Sequence, residues 1–370
     1  VNITSARHAV RIDGAVTATI DGGEYKTVGT ANMTTHAVNV SGAANVTIEN
    51  GTFVGPKGTS ADSGAAVKVQ SGATVTISNG EFSGGLNDTL SSDGTLKISG
   101  GTYDQAVKSD YCADGYVCKD NGGGTYKVVS QYVAQIGTNK YMTFKAALEA
   151  VEEGETIVLL NAEGDESNTE IAFDKAFSFT ITGNAPNYAL PVVTFQNATV
   201  NIKDATILIP ELDARQNATI NVIDSTVYDA GGNSIVKSYY NGAINISGDS
   251  TVYTMQLTTI GYITLSDSAE LTATWQTNVY GNGLITVNES ATLNTAALHL
   301  TGQDYSDRDN TDADRVGKPA AIVVDGGTLN VGTNCYSSSG ADYNNNSSHG
   351  INIGTEAGKN ALMDIKNGAT

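Results

Sequence analysis

Ala44-Asn45-Val46-Thr47-Ile48-Glu49-Asn50-Gly51-Thr52-Phe53 returns as Ala73-Thr74-Val75-Thr76-Ile77-Ser78-Asn79-Gly80-Glu81-Phe82, and again as Gly94-Thr95-Leu96-Lys97-Ile98-Ser99-Gly100-Gly101-Thr102-Tyr103. Inside each phrase apolar and polar residues alternate. At the two-residue period of a strand this puts one set of side chains on a buried face. A Gly, Asn or Asp then turns the chain before another apolar residue. The pattern resumes around Val200/Ile202, Ile220/Val222, Ile244/Ile246, Ile263/Leu265, Ile285/Val287, Leu329/Val331 and Met363/Ile365. Steps of 20, 24, 19 and 22 residues separate Ile202, Val222, Ile246, Leu265 and Val287, and a step of 44, read as two such units, leads to Val331.

A period of 20–24 residues with short strands and no recurrent helix predicts an all-β fold, a β-solenoid whose strands pair in parallel from coil to coil. Propeller blades need about 40–50 residues, and leucine-rich repeats need their Leu/Asn signature. A sandwich of hairpins would not make near-identical phrases recur at one-coil spacing. At ~4.8 Å between paired strands, roughly 15 to 17 coils would make a rod of about 70–80 Å. Inward Val, Ile and Leu should stack in ladders, with Thr, Ser, Lys and Asn outside.

Composition excludes the competing classes. The 370 residues carry 16% charged side chains and 41 Gly, and their formal charge is −19. No apolar window approaches the ~18 residues of a membrane span, so no membrane insertion of this segment is expected. Excess acid repels phosphate backbones, which argues against nucleic acid as a partner. β-Branched residues recur throughout and no long charge block occurs, so disorder is not expected. The chain starts at Val1 without Met, and export or anchoring signals are expected outside these residues.

Two stretches break the rhythm. Asp104 to Val129 lacks the phrase and reads as a terminator covering an exposed sheet edge. Within it, Cys112 and Cys118 bracket an Asp114-Gly115 turn signal, and a hairpin there would bring the two sulfurs into disulfide range. Cys335 has no sequence partner and reads as a small buried apolar residue. Thr143 to Glu153 is the best helix. Phe144, Ala147, Leu148 and Val151 share one face, Thr143 is the N-cap, and Gly154 sits at the C′ position. A short amphipathic helix followed by Thr156-Ile157-Val158-Leu159 reads as a lid on a first coil. The expected organisation is late coils of one solenoid over 1–108, a terminator and linker over 109–130, and a helix-capped second solenoid over 131–370.

The run Gly94 to Val128, with Ile98-Ser99-Gly100-Gly101-Thr102-Tyr103 and Gly124-Thr125-Tyr126-Lys127-Val128, resembles the repeat endings of large secreted surface proteins of Gram-positive gut bacteria. Val133 to Leu160 is similar to the opening of pectate-lyase-like right-handed parallel β-helix domains in such proteins. The resemblance implies a right-handed coil, extracellular display on a cell surface or secretion, and a stalk or adhesin-like role. It carries over no functional residue, and Cys112 and Cys118 depart from what it leads one to expect.

Chemistry-bearing residues are few. Asp304, Asp307, Asp309, Asp312 and Asp314 lie with Arg308 and Arg315 in an insertion between Leu300 and Ala321. Carboxylates so close could hold a structural Ca²⁺, with Asp307, Asp309, Asp312 and Asp314 as the ligand set, although the order is not that of an EF-hand. A solvated acidic loop is the competing reading. His8, His36, His299 and His349 are far apart and lack metal-ligand spacing. Tyr239, Tyr240, Tyr305, Tyr336 and Tyr343 fall near turns or insertions, where exposed rings can stack on sugars or proteins or simply pack corners. The sequons at Asn2, Asn32, Asn39, Asn45, Asn50, Asn87, Asn197, Asn217, Asn245, Asn288, Asn345 and Asn346 are expected from an Asn/Thr-rich composition. Joining the two ends reads NGATVNIT, in phase with Ala198-Thr199-Val200-Asn201-Ile202, as in a segment cut from a longer protein or a unit that stacks end to end.

The expectation is a non-enzymatic extracellular β-solenoid, a stalk, fibre or adhesin segment without a cofactor, whose partners are a host or matrix glycan or protein, or further copies of itself. The alternative is a polysaccharide lyase or glycoside hydrolase with its site on the solenoid flank.

Overall fold

The structure, a computed structural model, describes residues 1–28, 35–56, 64–84, 89–160, 164–229, 232–301, 315, 318–332, 350–354 and 361–370. Of the described residues 62% are strand and 3% helix; their parallel strands stack as a β-solenoid, about 13 turns in all, and they include one short α-helix. The chain divides into two units, Val1–Gln131 and Tyr132–Thr370.

In the first unit the strands fall into three rows, two of which share one continuous strand in Thr17–Thr27 and in Asn45–Val54. One row is Val10–Ile12, Val38–Val40, Val67–Val69 and Leu90–Ser92, all paired in parallel. A second row carries the quoted phrase: Val46, Val75 and Leu96 align, as do Ile48, Ile77 and Ile98, and all six are buried. Each such side chain removed from water contributes about 1.5–3 kcal/mol. The third row is aromatic. Tyr25, Phe53, Phe82 and Tyr103 lie in register and stack at centroid distances of 5.2, 4.9 and 4.9 Å, with rings within 10° of parallel.

That stack explains the glycine two residues before each ring. Gly51, Gly80 and Gly101 have φ of +131°, +128° and +98°. A Cβ on Gly80 would lie 3.0 Å from both the Gly51 carbonyl oxygen and the Phe82 ring. Only glycine combines that backbone with that closeness to the coil before.

The unit ends in an antiparallel hairpin. Strand Thr125–Ser130 pairs with Tyr103's strand, and Tyr116–Gly122 pairs with Thr125–Ser130, closing the edge that the last coil would otherwise present. The pairing hairpin does not close at the Asp114-Gly115 turn. The turn of the real hairpin lies at Gly122-Gly123-Gly124, Cys112 precedes it bridged to Ile98, and Cys118 is on its outer strand. Both thiols are free.

The second unit opens with a hairpin, Ala134–Ile136 and Asn139–Tyr141, whose first strand lies antiparallel to Thr156–Leu159. The helix follows at Phe144–Ala150, with Phe144, Ala147 and Leu148 buried. The Thr143 hydroxyl accepts the Ala146 N–H at 3.1 Å, and the Glu166 carboxylate accepts from Phe144 N and Lys145 N, so three of the open first-turn donors are met. The helix is shorter than the pattern suggests. Val151 already has extended backbone (ψ 140°), and Gly154 is not the C′ residue but donates its N–H to Ser178 across the first coil boundary.

From there the strands run parallel in three rows. One core ladder runs Ile157, Ile181, Ile202, Val222, Ile246, Leu265, Val287, Val324. On the outer side of this row, Asn245 donates to Asn221 and Asn221 to Asn201, each at 2.9 Å, an amide ladder running along the coils. The coil count is lower than expected because coil length varies more than the clearest steps suggest. In the first unit Thr17, Asn45, Thr74 and Thr95 are register neighbours at steps of 28, 29 and 21 residues. Val287 pairs with Val324, whereas Val331 pairs with Thr295 on another row, so the 44-residue step was one long coil measured to the wrong face.

Candidate functional site

Among the described residues, a dense grouping of ionisable side chains lies on the outer side of one row in the second unit. In strand Glu211–Arg215, alternation turns Leu212 and Ala214 into the core and leaves Glu211, Asp213 and Arg215 together on the opposite face. Parallel register then sets Asp213 beside Thr194 on the preceding coil and Lys237 on the following one. Arg215 grips Asp213 with Nε at 3.1 and 2.9 Å from the two oxygens and Nη2 at 2.8 Å. Thr194 donates its hydroxyl to Asp213 Oδ2 at 3.0 Å, and Lys237 Nζ is 3.6 Å from that oxygen and 2.6 Å from Glu211 Oε1. The guanidinium of Arg215 lies over the Tyr239 ring, 5.4 Å from its centroid.

Asp213 is fully buried. Burial pushes the Glu211 carboxyl above its ordinary range even though the Lys237 ammonium pulls the other way. For Arg215 burial opposes the charge, but the Asp213 carboxylate outweighs it and the guanidinium is held more tightly protonated. Each cation is answered by a carboxylate at contact distance. A general base needs a free lone pair facing a substrate. Asp213 spends its oxygens on Arg215, Thr194 and Lys237, an arrangement that ties three successive coils together.

A cleft of about 390 Å³ opens elsewhere, between the helix and strand Glu170–Asp174. Its Lys175 ammonium donates to the Glu149 and Val151 carbonyls and sits over the Phe173 and Phe177 rings, 5.5 Å from each centroid. It therefore caps the C-terminal end of the helix, where a cation is favoured.

Of the residues singled out from the sequence, Asp304, Asp307, Asp309, Asp312, Asp314, Arg308, Tyr305, Tyr336, Tyr343, Cys335 and His349 lie outside the described residues. Arg315 is described, and it staples backbone: Nε donates to Asn282 O at 2.7 Å, and Nη2 to the Gly283 and Pro319 carbonyls. Among the described residues no three His, Cys, Asp or Glu side chains gather as metal ligands, and no helix is long and apolar enough to cross a membrane. The sequon residue Asn39 is buried, its amide oxygen accepting from Gln70.

His8 and His36, separated in sequence, are neighbours across one coil. Their rings stack at 5.6 Å and 9°, with His36 N–H donating to His8 Nδ1. Tyr228 and Tyr253, unremarked in the sequence, form an exposed parallel pair at 6.2 Å, and Trp275 on a later coil is also exposed. The signal available for both pairs was the coil step itself, which places a residue against its counterpart one phrase later. Compared with protein-family models, with curated proteins and with solved structures, the chain matches none.

Proposed function

We propose that this chain is a length of non-enzymatic structural solenoid, a stalk, fibre or adhesin segment displayed outside a bacterial cell, needing no cofactor and meeting glycan or protein partners along its flanks. One observation carries the reading: the residues best suited to acid–base work, Glu211, Asp213, Arg215 and Lys237, are paired with one another within the wall. In this reading the ionic cluster fastens coil to coil, as the amide ladder and aromatic stack do elsewhere. Extracellular placement rests on the resemblance of Gly94–Val128 and Val133–Leu160 to bacterial surface repeats.

The second reading is a glycan lyase or hydrolase, favoured by the same fact seen differently, since two acids, an Arg and a Lys gather on one parallel face. The assay is depolymerisation of acidic and neutral polysaccharides with and without Ca²⁺, followed by reducing-end formation and by absorbance of unsaturated products. No turnover above a protein-free blank is expected. Turnover that disappears in Asp213→Asn while the far-UV spectrum and unfolding midpoint survive would defeat the structural reading and install the enzymatic one.

A further inference from the structure

The end of the first unit brings its two cysteines together by a route unlike a simple bracketed turn. Cys112 lies in the core, joined to the last full coil by its bridge to Ile98, and its thiol donates to the Lys108 carbonyl at 3.9 Å, next in the chain to the Val107 N–H that meets Cys118. Cys118 is half-buried on the outer strand of the terminating hairpin, and its own sulfur accepts the Val107 N–H at 3.2 Å. Among the described residues that strand pairs with Thr125–Ser130 alone. The outermost strand of the cap is thus held to the coil beneath it partly through two adjacent free thiols.

We propose that Cys112 and Cys118 form a redox-operated clip, in which a small-molecule disulfide oxidises the pair and locks the hairpin onto the last coil. The more exposed Cys118 thiol gives up its proton to solvent and attacks one sulfur of the small disulfide. That S–S bond breaks, one small thiolate leaves, and a mixed disulfide forms on Cys118. The Cys112 thiol then loses its proton and attacks the Cys118 sulfur, expelling the second small thiolate. Both cysteines end oxidised, and the small disulfide ends as two thiols that take up the two protons. Burial raises the Cys112 thiol above its ordinary range, with the neighbouring Cys118 adding to the effect, consistent with Cys112 acting second.

The test uses the full chain in its reduced state, with oxidised glutathione as the probe. The expected product has lost two hydrogens, keeps no glutathione, and yields on proteolysis a peptide pair joined through Cys112 and Cys118. Closing so short a loop restricts the opened hairpin, and hydrogen exchange of the 116–130 amides should slow by about 50-fold on oxidation. In Cys112→Ser the reaction should stop at a glutathione adduct on Cys118. A persistent Cys118 adduct in the unaltered chain with Cys112 still open to alkylation overturns the proposal. So does pairing of either thiol with Cys335, or a Cys112–Cys118 bond that leaves hairpin exchange unchanged.

Discussion

Acidification should loosen the first unit through His36. His36 is 3% exposed and its ring is stacked on His8, with Lys68, Arg7 and Arg11 adding positive charge to this pair's surroundings. Desolvation by burial, then the charges of His8 and Lys68, bring its pKa from 6.5 to about 4. The folded state therefore prefers neutral His36, and the unfolded chain takes up the proton first as pH falls. Stability is fully present above pH 6.5 and declines down to about pH 4. At ~1.36 kcal/mol per pH unit, the difference amounts to roughly 3 kcal/mol. The perturbation is a pH series from 7.5 to 4.5 on the full chain and on His36→Phe, which keeps a stacked ring but cannot titrate. The assay is urea unfolding followed by hydrogen exchange in the 38–54 strands, with His36 titrated directly by NMR. The unaltered chain should lose about 2–3 kcal/mol more than His36→Phe over that range. Equal pH slopes in the two proteins, or a His36 midpoint near 6.5, would refute the reasoning, because carboxylates common to both titrate alike.

Phe53→Ala should cost the first unit about 3–5 kcal/mol, more than Phe53→Leu, since it opens a void and removes ring contacts on both sides; urea midpoints decide it. Gly80→Ala should destabilise by more than about 1 kcal/mol in the same assay, because the left-handed backbone and the carbonyl of Gly51 both resist a Cβ. Asp213→Ala should cost the second unit roughly 2–4 kcal/mol, since Arg215 and Lys237 lose their shared carboxylate, with part of that loss offset by the solvent that reaches Arg215. Thermal melts in which Asp213→Ala equals the unaltered chain would show the cluster to be ornamental.

Much of the architecture was legible because a β-solenoid writes its cross-section into local chemistry. The alternation of Val46, Ile48 and their repeats, the turn residues after them, and the helical face of Phe144, Ala147 and Leu148 all depend on neighbours within a few positions. The place of the terminating hairpin's turn and the end of the helix at Ala150 were not legible for one reason. Each depends on what the next coil presents, such as Ile98 beneath Cys112 or Ser178 taking the Gly154 N–H.

Read as a string, these residues already dictate strands that bury one face and must stack to hide it, since period and turn chemistry act over short distances. Which side chains meet was decided only by the wound chain. His8 finds His36 after 28 residues, Phe53 finds Phe82 after 29, and Asp213 finds Lys237 after 24. These steps differ because loop length between strands is free to change while the ladder register is not, so contacts between coils follow hydrogen-bond registration rather than any constant spacing along the sequence.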